Sequence, residues 1–314
     1  MHRIAITGSQ GLIGRHLCPV LSQRGVEVIR IDRALPSGTN GCVDLASDHA
    51  TNELQVLLDG CDGVVHLGAV SRVVWGQREP ERCLRTNVEG THAVLQAAMR
   101  CRQRPWVLLA SSREVYGNAA QQPASEDTPM QPLNVYARSK VEAEACMLAS
   151  RPALRTGTVR LSSVYGDVLD HEDRVVPAFC RAAVLNGTLQ IEGRSHVLDL
   201  TYAEDVAAAI VQVMELLHAG ESSLPPIHLV SGVGTTLGEL AELARSTANS
   251  RALLLDAPPR SYDVCRFVGD PSRARALLGW QATTPLKEGI SRLLRNYAVL
   301  TAEHYASREG MSTP

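Results

Sequence analysis

Residues 3–23, "RIAITGSQGLIGRHLCPVLSQ", limit the fold more than any other stretch. Five apolar-rich residues run into a glycine-spaced turn, and a helical pattern starts within that turn and ends near Gly25. A strand that enters a helix through a tight glycine turn begins a βα unit. The alternation continues through "VEVIRID", a short "GCVDL", "CDGVVHLGA", the helix "VEGTHAVLQAAMR", the strand "WVLLASS", the helix "VYARSKVEAEACMLAS" and the strand "RTGTVRLSSVYG". Continuously aliphatic strands separated by helices predict a parallel sheet covered on both faces. After Tyr165 the pattern loosens into an acidic loop, "GDVLDHED", then a helix leading into a strand, "RVVPAFCRAAVLNGTLQI". "PPIHLVSG" reads as a strand returning to the main sheet.

Composition narrows the function. A formal charge of −2 over 314 residues, with no basic run, gives no surface for nucleic acid. No stretch is apolar for the length of a membrane span, and the first residues carry no signal-like apolar run, so the expectation is a soluble, cytoplasmic protein. Eight cysteines are scattered without a Cys-x-x-Cys pair, which predicts reduced, mostly buried thiols and no metal site. Only Lys140 and Lys287 are lysines, so the position of Lys140 stands out.

The turn "GSQGLIG" places Gly8, Gly11 and Gly14 around Gln10, Leu12 and Ile13. Glycines here let the backbone approach a pyrophosphate, whose charge rests at the positive end of the helix. Asp32 ends the second strand, where a carboxylate accepts hydrogen bonds from an adenosine ribose. Together they predict a dinucleotide site on a Rossmann-type doubly wound parallel sheet, with a smaller, discontinuous C-terminal substrate lobe. Residues 1–166 with about 196–231 form the first unit, about 167–195 and 232–306 the second, and 307–314 a tail. Asp32 repels a ribose 2′-phosphate and favours NAD; the neighbouring Arg33 keeps NADP as the lesser alternative.

Tyr136 and Lys140 stand four apart in a helical pattern, on one face. A nearby ammonium favours the phenolate of a tyrosine, giving a general base for a sugar hydroxyl. At this point the chain resembles the extended short-chain dehydrogenases/reductases, in particular the NAD-dependent nucleotide-sugar epimerase/dehydratase family. The resemblance covers roughly residues 1–295 and rests on "TGSQGLIG", "HLGAV", "TNVEGT", "SSREVYG", "YARSK", "VYG", "VVPAF", "LDLTYAEDVA" and "GDPSRARALLGW" in that order. It implies Tyr136 as the base, Lys140 as its electrostatic partner and ribose ligand, and Ser112 as the hydroxyl that holds the reacting oxygen. It further implies Asp44 and Leu45 at the adenine, and Leu67, Gly68, Ala69, Asn87 and Val164 along the cofactor groove. Val70, Arg113, Ser163, Val176 and Arg260 would meet a nucleotide-sugar or nucleoside-linked sugar, and the protein would be a homodimer joined through helices such as "VEGTHAVLQAAMR" and "VYARSKVEAEACM". Ser111 reads as a structural hydroxyl at the strand end.

Glu114 bears on the reaction. Family members that eliminate water typically carry Asp-Glu after the serine or threonine, whereas this chain has Arg113-Glu114, and an arginine cannot donate the required proton. Glu114 is open to two readings: a base beside the sugar C5, or a structural partner of an arginine. Epimerisation at C4 needs the fewest groups and ranks first. Dehydration, decarboxylation or C5 epimerisation through Glu114 is the alternative, and a non-catalytic dinucleotide-binding protein the minor one. The chain departs from the family at Ser163, where an asparagine is common, and at Leu198, where an arginine often precedes the acid kept as Asp199. Arg174 and Arg194 are candidate helpers for an anionic substrate.

Overall fold

The computed structural model describes residues 1–222 and 224–309, with 303–309 described by their backbone alone. Its strands are β1 (Arg3–Thr7), β2 (Glu27–Ile31), β3 (Gly63–His66), β4 (Trp106–Ser112), β5 (Thr156–Leu161), β6 (Ser163–Tyr165), β7 (Thr188–Glu192), β8 (Val197–Tyr202), β9 (Ile227–Leu229), β10 (Gly234–Thr236) and β11 (Leu253–Ala257). The first helices are α1 (Leu12–Gln23), α2 (Ala50–Leu58), α3 (Val73–Arg78), α4 (Pro80–Leu84), α5 (Gly90–Arg100) and α6 (Val135–Ser150). They are followed by α7 (Val175–Val184), α8 (Ala203–Ala219), α9 (Leu237–Thr247), α10 (Ser272–Leu278) and α11 (Leu286–Glu309).

Six strands form one parallel sheet in the order β2-β1-β3-β4-β5-β9. Its faces are covered as the apolar strands require. α1 and α8 pack Leu17, Leu21, Ile210 and Met214 on one side, while α2, α5 and α6 pack Leu54, Leu95 and Met147 on the other. The chain reverses direction across the sheet between β1 and β3, so the carboxyl ends of these strands open a crevice. Beyond Tyr165 a separate apolar cluster joins α7, α9 and α11 around Phe179, Leu240 and Leu293. It borders the three-stranded sheet β10-β8-β6 and the parallel pair β11-β7.

Several elements differ from the sequence reading. Residues 41–45 form no strand: the Cys42 amide bonds back to Thr39, and Asp44 turns the chain by accepting the Ala46 N–H. The apparent strand 155–166 is two, because the backbone leaves the main sheet at Ser162, whose hydroxyl meets Thr201 at 2.7 Å. β6 then pairs with β8 instead. The expected tail is helical to Glu309, and 310–314 lie outside the described residues. All eight cysteines are free, and five are buried.

Candidate active site

The glycine turn forms as its spacing suggests. Gly8 holds a positive φ of 69°, and a Cβ on it would stand 2.6 Å from the Gly68 nitrogen. A Cβ on Gly14 would meet the Gly8 carbonyl oxygen at 2.5 Å, so helix, turn and the end of β3 touch backbone to backbone. Gly11 caps α1 without any side-chain acceptor, which leaves first-turn N–H groups free to face the crevice. Asp32 is anchored by the Gln10 and Ala34 amides at 2.9 Å each, with its carboxylate at the crevice edge. Arg33 is exposed beside it. Asp44 also reaches the crevice, but one of its oxygens lies 3.3 Å from the Arg82 guanidinium.

A buried hydrogen-bond chain sets the crevice floor. The Thr91 hydroxyl donates to the Asn87 carbonyl, so His66 must donate to Thr91 through Nε2 and accept from Thr7 through Nδ1. Thr7 in turn accepts the Gly68 N–H at 3.0 Å. Burial drives the His66 pKa down to about 3, so the ring is neutral, as this proton order demands. Asn87 clamps the Val70 peptide from both sides, accepting its N–H at 2.7 Å and donating to its carbonyl at 3.1 Å.

Ser112 ends β4, and α6 projects Tyr136 and Lys140 toward it from one face. Lys140 Nζ donates to the Ala110 carbonyl at 2.9 Å and lies 6.0 Å from the centre of the Tyr136 ring. Burial pushes the Tyr136 phenol up to about 12; a hydrogen bond with Ser112 works against this, and the Glu114 charge adds to it. Burial also brings Lys140 down to about 8. The ammonium therefore does not dominate the phenol here, contrary to the simplest electrostatic expectation, because both groups lose solvation together.

Glu114 is buried, and both its oxygens are engaged. Oε1 lies 2.8 Å from an Arg113 Nη, and Oε2 accepts from the Asn134 amide at 3.1 Å. The Arg113 guanidinium rests 5.7 Å from the Phe267 ring centre. Arg260 reaches the cavity already paired with Asp263 at 2.8 Å and Glu192 at 3.4 Å. The loop after β6 is strapped to α3: Arg72 pairs with Asp173, Trp75 meets His171 edge-on at 4.5 Å, and Arg174 reaches the Ser71 hydroxyl.

One cavity of about 810 Å³ gathers nearly every residue singled out from the sequence. Val70 and Asn87 are the exceptions among the expected cofactor and substrate contacts, since their mutual clamp places them behind the wall; Ser71 and Arg72 line it instead. Arg174 is on the wall, whereas Arg194 lies off it and pairs with Asp256. Leu198 lines the cavity, but Asp199 is fully buried and ties down the Ser231, Gly232 and Gly269 amides. Ser111 bonds to Glu144, which also pairs with Arg160. Sequence reasoning missed Arg72, Trp75, His196 and Asp263 on the cavity wall, and Asn134 at the foot of α6. Only Asn134 carried a local signal, an N-cap residue one position before a helical run.

A dinucleotide fits this chain's own geometry: two glycines leave room that any Cβ would fill, the α1 amides are uncapped, and Asp32 is held in place for a ribose. A sequence model of the NAD dependent epimerase/dehydratase family matches residues 4–224. UDP-glucuronic acid decarboxylase 1 of Danio rerio is 29% identical over 327 residues, covering 99% of this chain and 76% of that protein. A UDP-glucose 4-epimerase of Mycolicibacterium smegmatis is 29% identical over 308 residues, covering 92% and 96%. Among solved structures, MoeE5 in complex with UDP-glucose and NAD superposes with a TM-score of 0.86 at 26% identity, covering 96% of this chain and 99% of that one. The NAD dependent NDP-hexosamine 5,6-dehydratase TunA superposes at 0.82 with 26% identity, covering 94% and 97%.

Proposed function

Because this chain belongs to the NAD-dependent epimerase/dehydratase family, we propose that it is a nucleotide-sugar 4-epimerase. The observation that carries this reading is the state of Glu114, the carboxyl group that follows Ser112 and faces Tyr136 across the site. Both its oxygens are occupied by Arg113 and Asn134, so beside Ser112 it is Tyr136 that stands placed to take a proton. C4 epimerisation needs one such group, whereas elimination needs an acid and a second base.

NAD, when bound, supplies the acceptor that takes the C4 hydride and gives it back. Gly8, Gly11 and Gly14 with the first turn of α1 would hold its pyrophosphate, and Asp32 its adenosine ribose. Tyr136 Oη takes the proton of the C4 hydroxyl and later returns it. Ser112 Oγ, at the end of β4 beside the phenol, keeps the reacting oxygen next to it. Lys140 holds positive charge beneath the ring and would reach the cofactor's second ribose. The polar groups around Arg260 take the nucleotide end, and Arg260 can turn from Asp263 and Glu192 toward a phosphate.

A second reading has Glu114 act at C5, as the base that removes the C5 proton in C5 epimerisation or, carrying a proton, as the acid that protonates C5 after the C5 carboxylate of the 4-keto sugar has left as carbon dioxide; it is favoured by the position of Glu114 on the cavity wall and by the similarity to UDP-glucuronic acid decarboxylases. Product analysis after incubation with UDP-glucose and with UDP-glucuronic acid in deuterated water separates the two. The expected product keeps its mass, is inverted at C4 and carries no deuterium at C5, and Glu114→Gln gives that same product. Loss of the mass of carbon dioxide or water, or deuterium at C5, sinks the 4-epimerase reading.

A further inference from the structure

Asn134 is 1% exposed and uses its amide in three directions. Oδ1 accepts the Ala137 N–H at 2.8 Å, capping α6. Nδ2 donates to Glu114 Oε2 at 3.1 Å and to the Tyr262 carbonyl at 3.2 Å. The orientation is forced, because a flipped amide would face its oxygen toward two acceptors and its donors toward an N–H. Three segments distant in sequence thus meet on one side chain. They are the turn after β4 that follows Ser112, the first turn of α6, and the segment around Tyr262 whose neighbours Arg260, Asp263 and Val264 line the cavity.

We propose that Asn134 is a positioning residue for Tyr136, locking the helix turn that carries the phenol to the Glu114 turn and to the substrate-facing segment 260–264. The inference rests on the reading of Tyr136 as the base. Tyr136 is the second residue of α6, so any shift of the first turn moves its ring directly. The same turn is held from the other side by α3, where Gln77 Oε1 accepts the Val135 N–H at 3.2 Å. Capping alone does not call for asparagine, since serine, threonine or aspartate caps a helix as well. What asparagine adds is two donors on the same group, and both are spent on the neighbouring segments. Aspartate would set a carboxylate against Glu114. Serine keeps the acceptor for Ala137 and loses at least one of the two ties. A sugar nucleotide resting on 260–264 presses on a segment whose backbone is bonded to the foot of the catalytic helix, so substrate seating and phenol placement become one event.

The experiment compares Asn134→Ser, Asn134→Ala and Tyr136→Phe with the unaltered protein in melting temperature, NAD binding, kcat and KM on UDP-glucose, and the pH profile. Asn134→Ser is expected to melt close to the unaltered protein and to bind NAD, with KM moving little. Its kcat should fall roughly ten- to a hundredfold, the scale of a misplaced catalytic group. The rising limb of its pH profile, which follows the deprotonation of the base, should move to higher pH, because a Glu114 released from Asn134 bears more strongly on the phenol. Asn134→Ala should lose stability as well. An unchanged kcat and pH profile in Asn134→Ser overturns the proposal, as does a loss of kcat that only follows a loss of folded protein. Turnover by Tyr136→Phe is a different failure and overturns the assignment of the base. Amide hydrogen exchange provides a readout that needs no turnover: Asn134→Ser must speed exchange in 258–264 while the later turns of α6 stay protected, and unchanged exchange there also overturns the proposal.

Discussion

Burial pushes the Lys140 ammonium down to about 8 and the Tyr136 phenol up to about 12, so the residues closest to the chemistry are held where their charged forms are least favoured. For the lysine this has a stability consequence of definite sign. A lysine with a folded pKa below its unfolded value binds fewer protons in the fold between those two values. Its burial therefore costs most below about pH 8, where both states are charged, and the cost fades as pH rises toward 10.5. Lys140→Met is expected to stabilise the protein at pH 7 by about 1–3 kcal/mol while abolishing turnover. Urea unfolding at pH 7 and pH 10 checks this, and the gain must shrink at the higher pH. A variant less stable at pH 7 would mean that the bond to the Ala110 carbonyl outweighs desolvation. Tyr136→Phe should lower kcat by roughly 10²–10⁴ with NAD binding kept, read by single-turnover kinetics and calorimetry.

The turn between β1 and α1 differs from an ordinary βα loop in how little space it leaves, and the three glycines differ in how much. A Cβ at Gly14 falls 2.5 Å from the Gly8 oxygen, and at Gly11 3.2 Å from the same atom. Gly14→Ala must therefore shift backbone against backbone, with an expected loss of ~1–3 kcal/mol and a large drop in NAD affinity, whereas Gly11→Ala needs only a small adjustment. Calorimetric NAD titration of both variants tests the order; equal losses would show that the contacts in the bound state differ from these. This element was legible because its requirement is local: strand, glycine spacing and helix adjoin in sequence. α6 was legible for the same reason, its Tyr136–Lys140 spacing lying within one turn. The division of 155–166 into β5 and β6 was not legible, since it depends on Ser162 meeting Thr201 across the fold. Nor was the function of Asp199, which reads as part of a substrate motif and folds as the acceptor for three distant amides. Asn134 shows both limits: its cap was readable one residue before the helix, but its bond to Tyr262 spans 128 residues.

Across the whole molecule, buried polar groups join what the hydrophobic clusters leave separate. Asp205, at the start of α8, accepts from Thr283 and Thr284 and so fixes the chain between α10 and α11 against the main sheet. His66 joins β1 and β3 to α5, and His228 joins β9 to Tyr116. Burial drives both imidazoles down to about 3, so each is neutral in the fold and takes a proton readily once unfolded. Below the ordinary histidine value the unfolded chain then binds up to two more protons than the folded one, and stability falls with falling pH. Near pH 5 the slope from this pair approaches about 2.7 kcal/mol per pH unit. The resulting loss between pH 7 and pH 5 is expected to be about 2–4 kcal/mol, well above the range in which most aspartates and glutamates titrate. Urea unfolding at pH 7, 6 and 5 measures it directly, and His228→Gln should reduce the slope by about half, leaving the share due to His66. If stability falls by only half as much, one ring carries its proton inside the fold, and if it is flat over that interval both do. For His66 that would reverse its bond with Thr7, which would then accept from Nδ1 as well as from the Gly68 N–H, while Nε2 still donates to Thr91, and it would change the account of what holds the crevice floor in place.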